Sequence, residues 1–245
     1  RFDAWLAAEV EARGVEVRTG VRSDEGIERA RFVVDATGVR SYYARRMGAR
    51  RREHDRLVCV SAFFRVPEGV EFPRRTLLEA VEYGWWYCAR LPNRRVAVVV
   101  ATSHALFKQR RFDRPRAWLE ALVRTRHVIG WLSACEPEPG SLSVCTAPSF
   151  VLDRAHGDRW LAVGDAASAY DPISSQGILE ALSGGLDAGP RIAASLDGDE
   201  HQRQLERRFD AYAQQRAYYY AQEGRWPNSS FWRERVARPT FSGHT

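Results

Sequence analysis

The residues best equipped for chemistry lie between Arg159 and Gly185, in the stretch RWLAVGDAASAYDPISSQGILEALSGG. The apolar run Trp160 to Val163 reads as a strand that ends on Gly164 and Asp165. A carboxylate at a strand's end can accept hydrogen bonds from sugar hydroxyls, and the small residues Ala166, Ala167 and Ser168 let a ligand lie against the backbone. Asp171 and Pro172 then turn the chain through Ser174 and Ser175. Gln176, Gly177 and Ile178 begin a helix whose first N–H groups lack partners and so attract partial negative charge. This suits a ligand with a polyhydroxyl chain and an electron-rich ring. Gly-Asp alone also fits any strand, turn and helix of an α/β protein, and only the length of the stretch makes it specific.

A second stretch stands upstream. Ala30 to Gly38 reads as a buried strand that delivers Asp35, Thr37 and Gly38 to its carboxyl end, where ligands bind in open parallel sheets. The later stretch resembles the second FAD-binding motif of the flavoprotein hydroxylases and flavin-dependent halogenases, which runs apolar strand, GDAA, D-P-x-x-S-x-G, helix. DATG followed by Arg40 and Ser41 is similar to the A-T-G-x-x-S segment of the same superfamily, and the two come in the family's order. The resemblance implies FAD as cofactor, with the motif residues Gly164, Asp165 and Ala166 against it and Asp165 on the ribityl or ribose hydroxyls. It places Asp171 and Pro172 in a turn beside the isoalloxazine, with the backbone of Ser174, Ser175, Gln176 and Gly177 and the helix start at Ile178 toward its pyrimidine edge. Asp35, Thr37 and Gly38 would pack near the dinucleotide. The family's G-x-G-x-x-G fingerprint is absent, and the chain opens on Arg1 rather than methionine. The expectation is therefore a segment of a longer chain, with the pyrophosphate cradle upstream.

These sites need elements to position them. Phe2, Trp5, Leu6 and Val10 have helical spacing with Gly14 as a stop, and Val15 and Val17 alternate as a short strand before a polar turn at Ser23 to Gly26. From about Arg50 the pattern becomes alternating and β-branched: Leu57 to Val66, Thr76 to Val81, Trp85 to Leu91 and Arg95 to Thr102, the last two joined at Pro92-Asn93-Arg94. Asp113 and Pro115 could start a helix with Trp118, Leu119, Leu122 and Val123 as its buried stripe, and Ser141 to Val151 returns as a strand. Ile178, Leu179, Leu182 and Leu186 predict a buried helical face, weakened or kinked at Gly184-Gly185 and Gly189-Pro190. Arg203 to Tyr220 forms a further helix that buries Leu205, Phe209 and Tyr212. The fold class expected is α/β: a Rossmann-like, three-layer FAD-binding domain, N-terminally incomplete, with an inserted antiparallel β-sheet substrate domain and a C-terminal helical segment, in the manner of para-hydroxybenzoate hydroxylase. The divisions are 1–48 and 151–198 for the FAD-binding domain, 49–150 for the insert and 199–245 for the C-terminal segment.

Tyr83, Trp85, Trp86 and Tyr87 form the densest aromatic cluster, and Tyr83, Trp85 and Trp86 are the substrate-contact candidates through ring stacking. Packing in the core is the other reading of the same residues. Side chains alternate along a strand, so Trp85 and Tyr87 face one way, Trp86 and Cys88 the other. Tryptophan halogenases carry W-x-W-x-I-P here, whereas this chain reads GWWYCARLP, a departure that places hydroxylation ahead of halogenation. The tail from Tyr218 to Trp232 resembles the Y-Y-x-x-E-x-R-W-P-x-x-x-F-W ending of halogenase-like oxidoreductases that include maturation flavoproteins of quinone-cofactor and lysine- or glycine-oxidase systems. It could pack the fold or line a substrate entrance. The resemblance implies a monooxygenase that hydroxylates an aromatic small molecule or an aromatic side chain of a client protein through a flavin C4a-hydroperoxide. Electrons would come from NAD(P)H or a flavin reductase. Halogenation and a non-catalytic, FAD-binding maturation role are the alternatives, and no catalytic acid or base stands out.

Composition narrows the rest. The net charge of +6 rests almost wholly on arginine, Lys108 being the only lysine, and arginines spread along a chain make no nucleic-acid footprint. No apolar stretch is long enough to span a membrane, and a cytoplasmic protein is expected. Cys59, Cys88, Cys135 and Cys145 have no C-x-x-C spacing and read as buried free thiols, with no metal site or disulfide framework. His54, His104, His127 and His156 are scattered and read as surface or hydrogen-bonded residues.

Overall fold

Alternation along residues 57–64 decides the architecture. Val58, Val60, Ala62 and Phe64 enter one apolar core while Leu57 and Cys59 enter another, so this strand divides two layers. The computed structural model describes residues 2–22, 26–194 and 198–236. Its strands are β1 (Val33–Asp35), β2 (Arg51–Arg65), β3 (Leu77–Val81), β4 (Gly84–Leu91), β5 (Arg95–Ser103), β6 (Glu136–Pro137), β7 (Ser143–Leu152), β8 (His156–Gly157), β9 (Trp160–Ala162) and β10 (Ser168–Ala169). The helices are α1 (Phe2–Glu11), α2 (Tyr42–Arg46), α3 (His104–Arg110), α4 (Pro115–Val123), α5 (Val128–Trp131), α6 (Gly177–Ala193), α7 (Gly198–Ala221) and α8 (Ser230–Val236). The chain divides into two units, residues 1–33 and 34–245.

In the larger unit a seven-stranded sheet runs β10-β7-β2-β5-β4-β3, with β6 on the end of β2, and its paired strands are antiparallel. One face packs on Phe112, Trp118, Leu122 and Val128, from α4, α5 and the loop before them. The other packs on Tyr220 of α7 and on Phe231 and Trp232 of α8. A smaller sheet, β1-β9-β8, carries the two motif loops at the carboxyl ends of β1 and β9, tied by Val163 N–H donating to the carbonyl of Asp35 at 3.0 Å.

The four long sheet strands and the 203–220 helix lie where the sequence pattern puts them, but several local expectations fail. Val15 to Val17 is not a strand; among the described residues it has no ladder partner, without which a strand leaves its peptide groups unpaired. Of the turn expected at Ser23 to Gly26, residues 23–25 lie outside the described residues. The stripe on α1 buries nothing. The strand β1 is three residues long with Val34 exposed, because only β9 pairs with it among the described residues. At α4 Arg114, not Asp113, is the N-cap, and Leu119 and Val123 are exposed.

The largest departure is α6. It runs unbroken to Ala193 and leaves Ile178, Leu179, Leu182 and Leu186 exposed. The side that meets the GDAA turn is made of small residues: Ala181 and Gly184 lie against Gly164, and Ala188 further along is the buried residue of the helix. Backbone-to-backbone approach excludes leucine from this face, so the bulky residues take the other side.

Candidate functional site

Gly164 sits at φ +54°, a conformation that side chains disfavour, and a Cβ there would stand 3.1 Å from the Cα of Ala181. Glycine therefore sets how closely the GDAA turn, a 3-10 turn over Gly164–Ala166, docks on α6. That contact brings Asp165 to the start of the helix, with its Oδ1 3.9 Å from the position a Gly177 Cβ would take. Asp165 is half-buried, and among the described residues it has neither hydrogen bond nor ion pair; burial raises its pKa above the usual carboxylate range. No side chain caps α6, whose N-cap is Gln176. An acceptor-only carboxylate thus stands beside uncapped N–H donors, and both are available to a ligand that brings hydroxyls and electron-rich atoms.

The DATG loop is built differently. Asp35 is buried and spends its carboxylate on its own loop: Oδ1 accepts from Thr37 N–H at 3.0 Å and Thr37 Oγ1 at 2.6 Å, and Oδ2 accepts from Ala44 N–H at 2.8 Å. Thr37 Oγ1 in turn accepts from Tyr42 N–H at 2.8 Å. Asp35 therefore shapes the loop from within, its oxygens occupied by Thr37 and Ala44. The Oγ of Ser41 is buried without a hydrogen-bond partner among the described residues. Beside this loop Arg40, Arg45, Arg46, Arg50 and Arg51 line a concavity of about 840 Å³, a basic surface.

Asp171 is also buried. Its Oδ1 accepts from Ile173 N–H at 3.0 Å, which with Pro172 forms the turn, while Oδ2 accepts from Tyr220 Oη at 2.8 Å and Arg216 Nε at 3.1 Å. Arg216 also pairs with Asp55 on β2, and Arg235 reaches the other oxygen of Asp55 at 2.9 Å. Trp85 Nε1 donates to Tyr220 Oη at 2.9 Å. The N–H of Asp171 donates to Tyr212 Oη at 2.6 Å, and that hydroxyl meets Ser149 Oγ at 3.0 Å. Burial, and then the charge of Asp171, raise the pKa of both Tyr212 and Tyr220, which keeps the phenols neutral. Burial, and next Arg216, lower that of His54. Ser174 Oγ donates to the carbonyl of Asp171 at 2.8 Å, and Ser175 takes a left-handed φ of 54° just before the helix. The turn is thus clamped by three side chains of α7, which residues of β2, β4 and β7 hold in turn.

Of the aromatic candidates, only Trp85 shares a face with this turn, and it is 2% exposed beneath Tyr220. Trp86 is fully buried on the opposite face, its ring 5.1 Å from that of Trp118, and Tyr83 packs there too. Tyr87, half-exposed, is the accessible aromatic of the cluster on the turn's side. In the tail Tyr220, Phe231 and Trp232 pack the core, whereas Tyr218 and Tyr219 are exposed.

Asp55, Tyr212, Arg216 and Arg235 had no motif to mark them. A signal existed all the same: Tyr212, Arg216 and Tyr220 fall at i, i+4 and i+8, one face of α7.

Residues 5–223 match the FAD binding domain family. LodB of Marinomonas mediterranea, named an FAD-dependent oxidoreductase, is 32% identical over 209 residues, which cover 84% of this chain and 56% of LodB. Among solved structures, the flavin-dependent halogenase CmlS superposes with a TM-score of 0.78 at 23% identity, covering 99% of this chain and 49% of CmlS. The peptidyl tryptophan dihydroxylase QhpG superposes with a TM-score of 0.57 at 23% identity, over 80% of this chain and 47% of QhpG. The chain spans about half the length of these relatives. The fold is a Rossmann-like FAD domain with a β-sheet insert.

Proposed function

The chain belongs to the FAD binding domain family, with FAD as its cofactor, and from that premise we propose that the protein is a monooxygenase that hydroxylates an aromatic substrate. When bound and reduced, FAD supplies the activation of molecular oxygen. The chain's own residues hold and shield it. Asp165 accepts hydrogen bonds from the ribityl or ribose hydroxyls, and Gly164 and Ala166 let the cofactor approach the backbone. Thr37 and Gly38 lie along the dinucleotide on a loop that Asp35 holds. The clamped turn of Asp171, Pro172, Ser174 and Ser175, with Gln176, Gly177 and Ile178 at the helix start, presents backbone to the ring and excludes water from one side. The sheet face carrying Trp85 and Tyr87 backs the turn, Trp85 through its bond to Tyr220.

One observation carries this reading: Asp165, half-buried and without a partner among the described residues, stands at the uncapped start of α6. Residues 49–150 then act as the substrate domain between the two FAD-binding parts, 1–48 and 151–198, with 199–245 as a helical brace. Reducing equivalents come from NAD(P)H or a flavin reductase. The substrate is an aromatic small molecule or, as the name of QhpG suggests, an aromatic side chain of a client protein. Halogenation is the second reading, favoured by the likeness to CmlS. The GWWYCARLP strand speaks for hydroxylation.

The test uses the full-length holoprotein. Replacing Asp165 by Ala should weaken FAD binding about 10- to 100-fold, the worth of hydrogen bonds to a charged acceptor, read by flavin fluorescence. Unchanged affinity would remove Asp165 from the site. Product mass after turnover with reductant, oxygen and chloride or bromide separates the reactions: one added oxygen supports hydroxylation, a halogen isotope pattern replaces it with halogenation, and no product with any aromatic client favours a maturation role without catalysis.

A further inference from the structure

The four cysteines are distant in sequence, yet β2 and β7 bring two of them together. Cys59 and Cys145 are direct cross-strand partners in the antiparallel ladder, so their side chains leave the sheet on the same face. Directly opposed residues in such a ladder have Cα atoms about 4.5 or 5.5 Å apart, inside the span of about 4.4 to 6.8 Å that a disulfide bridges. Cys145 is exposed and Cys59 is buried against Leu57, Trp85 and Ala101, on the face where Ile173 of the Asp171 turn also packs. The outer sulfur is open to solvent and the inner one lies behind it.

We infer that Cys145 and Cys59 form a reactive dithiol, a modification site in which Cys145 is the nucleophile for soft electrophiles and peroxide and Cys59 the resolving thiol. Pairing with Cys59 across the ladder lowers the Cys145 thiol to about 6, and pairing with Cys145 together with burial pushes that of Cys59 up. Cys145, the exposed member of the pair, is therefore its more acidic thiol, and buried Cys59 keeps its proton. Cys88 and Cys135 serve as internal controls, since burial raises both, Cys88 to about 12.

With hydrogen peroxide as oxidant the chemistry balances in two steps. The Cys145 thiolate attacks one peroxide oxygen and the O–O bond breaks, giving a sulfenic acid and hydroxide. The Cys59 sulfur then attacks the Cys145 sulfur, the S–S bond forms, and the sulfenic oxygen leaves with the thiol's proton as water, the hydroxide having taken up a solvent proton. Overall two thiols are oxidised and one peroxide is reduced to two waters.

The experiment treats the full chain with substoichiometric peroxide and maps peptides by mass spectrometry without reduction. A Cys59–Cys145 cross-link is expected, with Cys88 and Cys135 still free. In Cys59→Ser, peroxide should instead leave a dimedone-trappable sulfenic acid on Cys145, and Cys145→Ser should give neither product. In untreated protein at pH 7, iodoacetamide should label Cys145 roughly tenfold or more faster than Cys135, with a half-maximum in pH well below that of an ordinary thiol near 8.5. Labelling of Cys145 no faster than Cys135, or peroxide products confined to Cys88 or Cys135, would overturn the assignment. The readout is thiol chemistry and stands whether or not the protein hydroxylates anything.

Discussion

At Asp165 the fold holds a half-buried carboxylate that, among the described residues, nothing else satisfies, and this has a consequence for the cofactor-free protein. Burial raises its pKa above the value it has unfolded, near 3.9. Between the unfolded and folded values the folded chain therefore binds more protons, so Asp165 lowers stability progressively as pH rises through that window and holds the cost above it. Asp165→Asn should then raise the melting temperature of the apoprotein at pH 7, and the gain should shrink toward zero as the pH falls below about 3.9. Thermal scans from pH 3 to 8 check this, and a difference that does not vary with pH would show that desolvation is not the cause. The same substitution should weaken FAD binding. Asp35 shows the opposite case, since three donors from its own loop satisfy its oxygens.

Among elements, the C-terminal helices earn their place by clamping the turn before α6. Arg216 of α7 pairs with Asp171 in that turn and Asp55 in β2, at 2% side-chain exposure. Arg216→Ala would leave buried Asp171 and partly buried Asp55 short of their shared cation and should cost about 3 to 5 kcal/mol, read by urea unfolding. Arg208→Ala is the control: its partners Asp187 and Glu180 are reached by a half-exposed side chain, and the cost should stay below about 1 kcal/mol. Equal costs would mean that the network does not brace the turn. Element packing also explains α6. The contact of Gly164 with Ala181 and Gly184 admits only small residues, and the leucines of the helix lie on another side, exposed.

At the scale of the whole molecule, the cores and the long ladders belong to residues 34–245, whereas α1, in residues 1–33, buries no side chain. Local opening free energies should follow that division. Native-state hydrogen exchange should find the amides of β2 and β5 exchanging near the global unfolding free energy, and those of α1 orders of magnitude faster. Comparable protection in the two would contradict the burial pattern. Among the described residues, no helix is long and apolar enough to cross a membrane.

The sequence by itself determined the elements whose patterns are local. Alternation placed the four central strands and the opposite facing of Trp85 and Trp86, helical spacing placed Phe209 and Tyr212, and the GDAA and DPISSQG motifs carried the family. Periodicity also misled, because it reports which residues share a face but not which face is buried: on α1 and α6 the apolar stripe is the exposed one. Tertiary structure alone decided the rest. Asp55, Asp171, Arg216 and Arg235 meet only after β2, the turn and two helices dock, and Cys59 and Cys145 meet only through strand register. Such groupings depend on contacts between distant segments, and no local pattern encodes the distance between them.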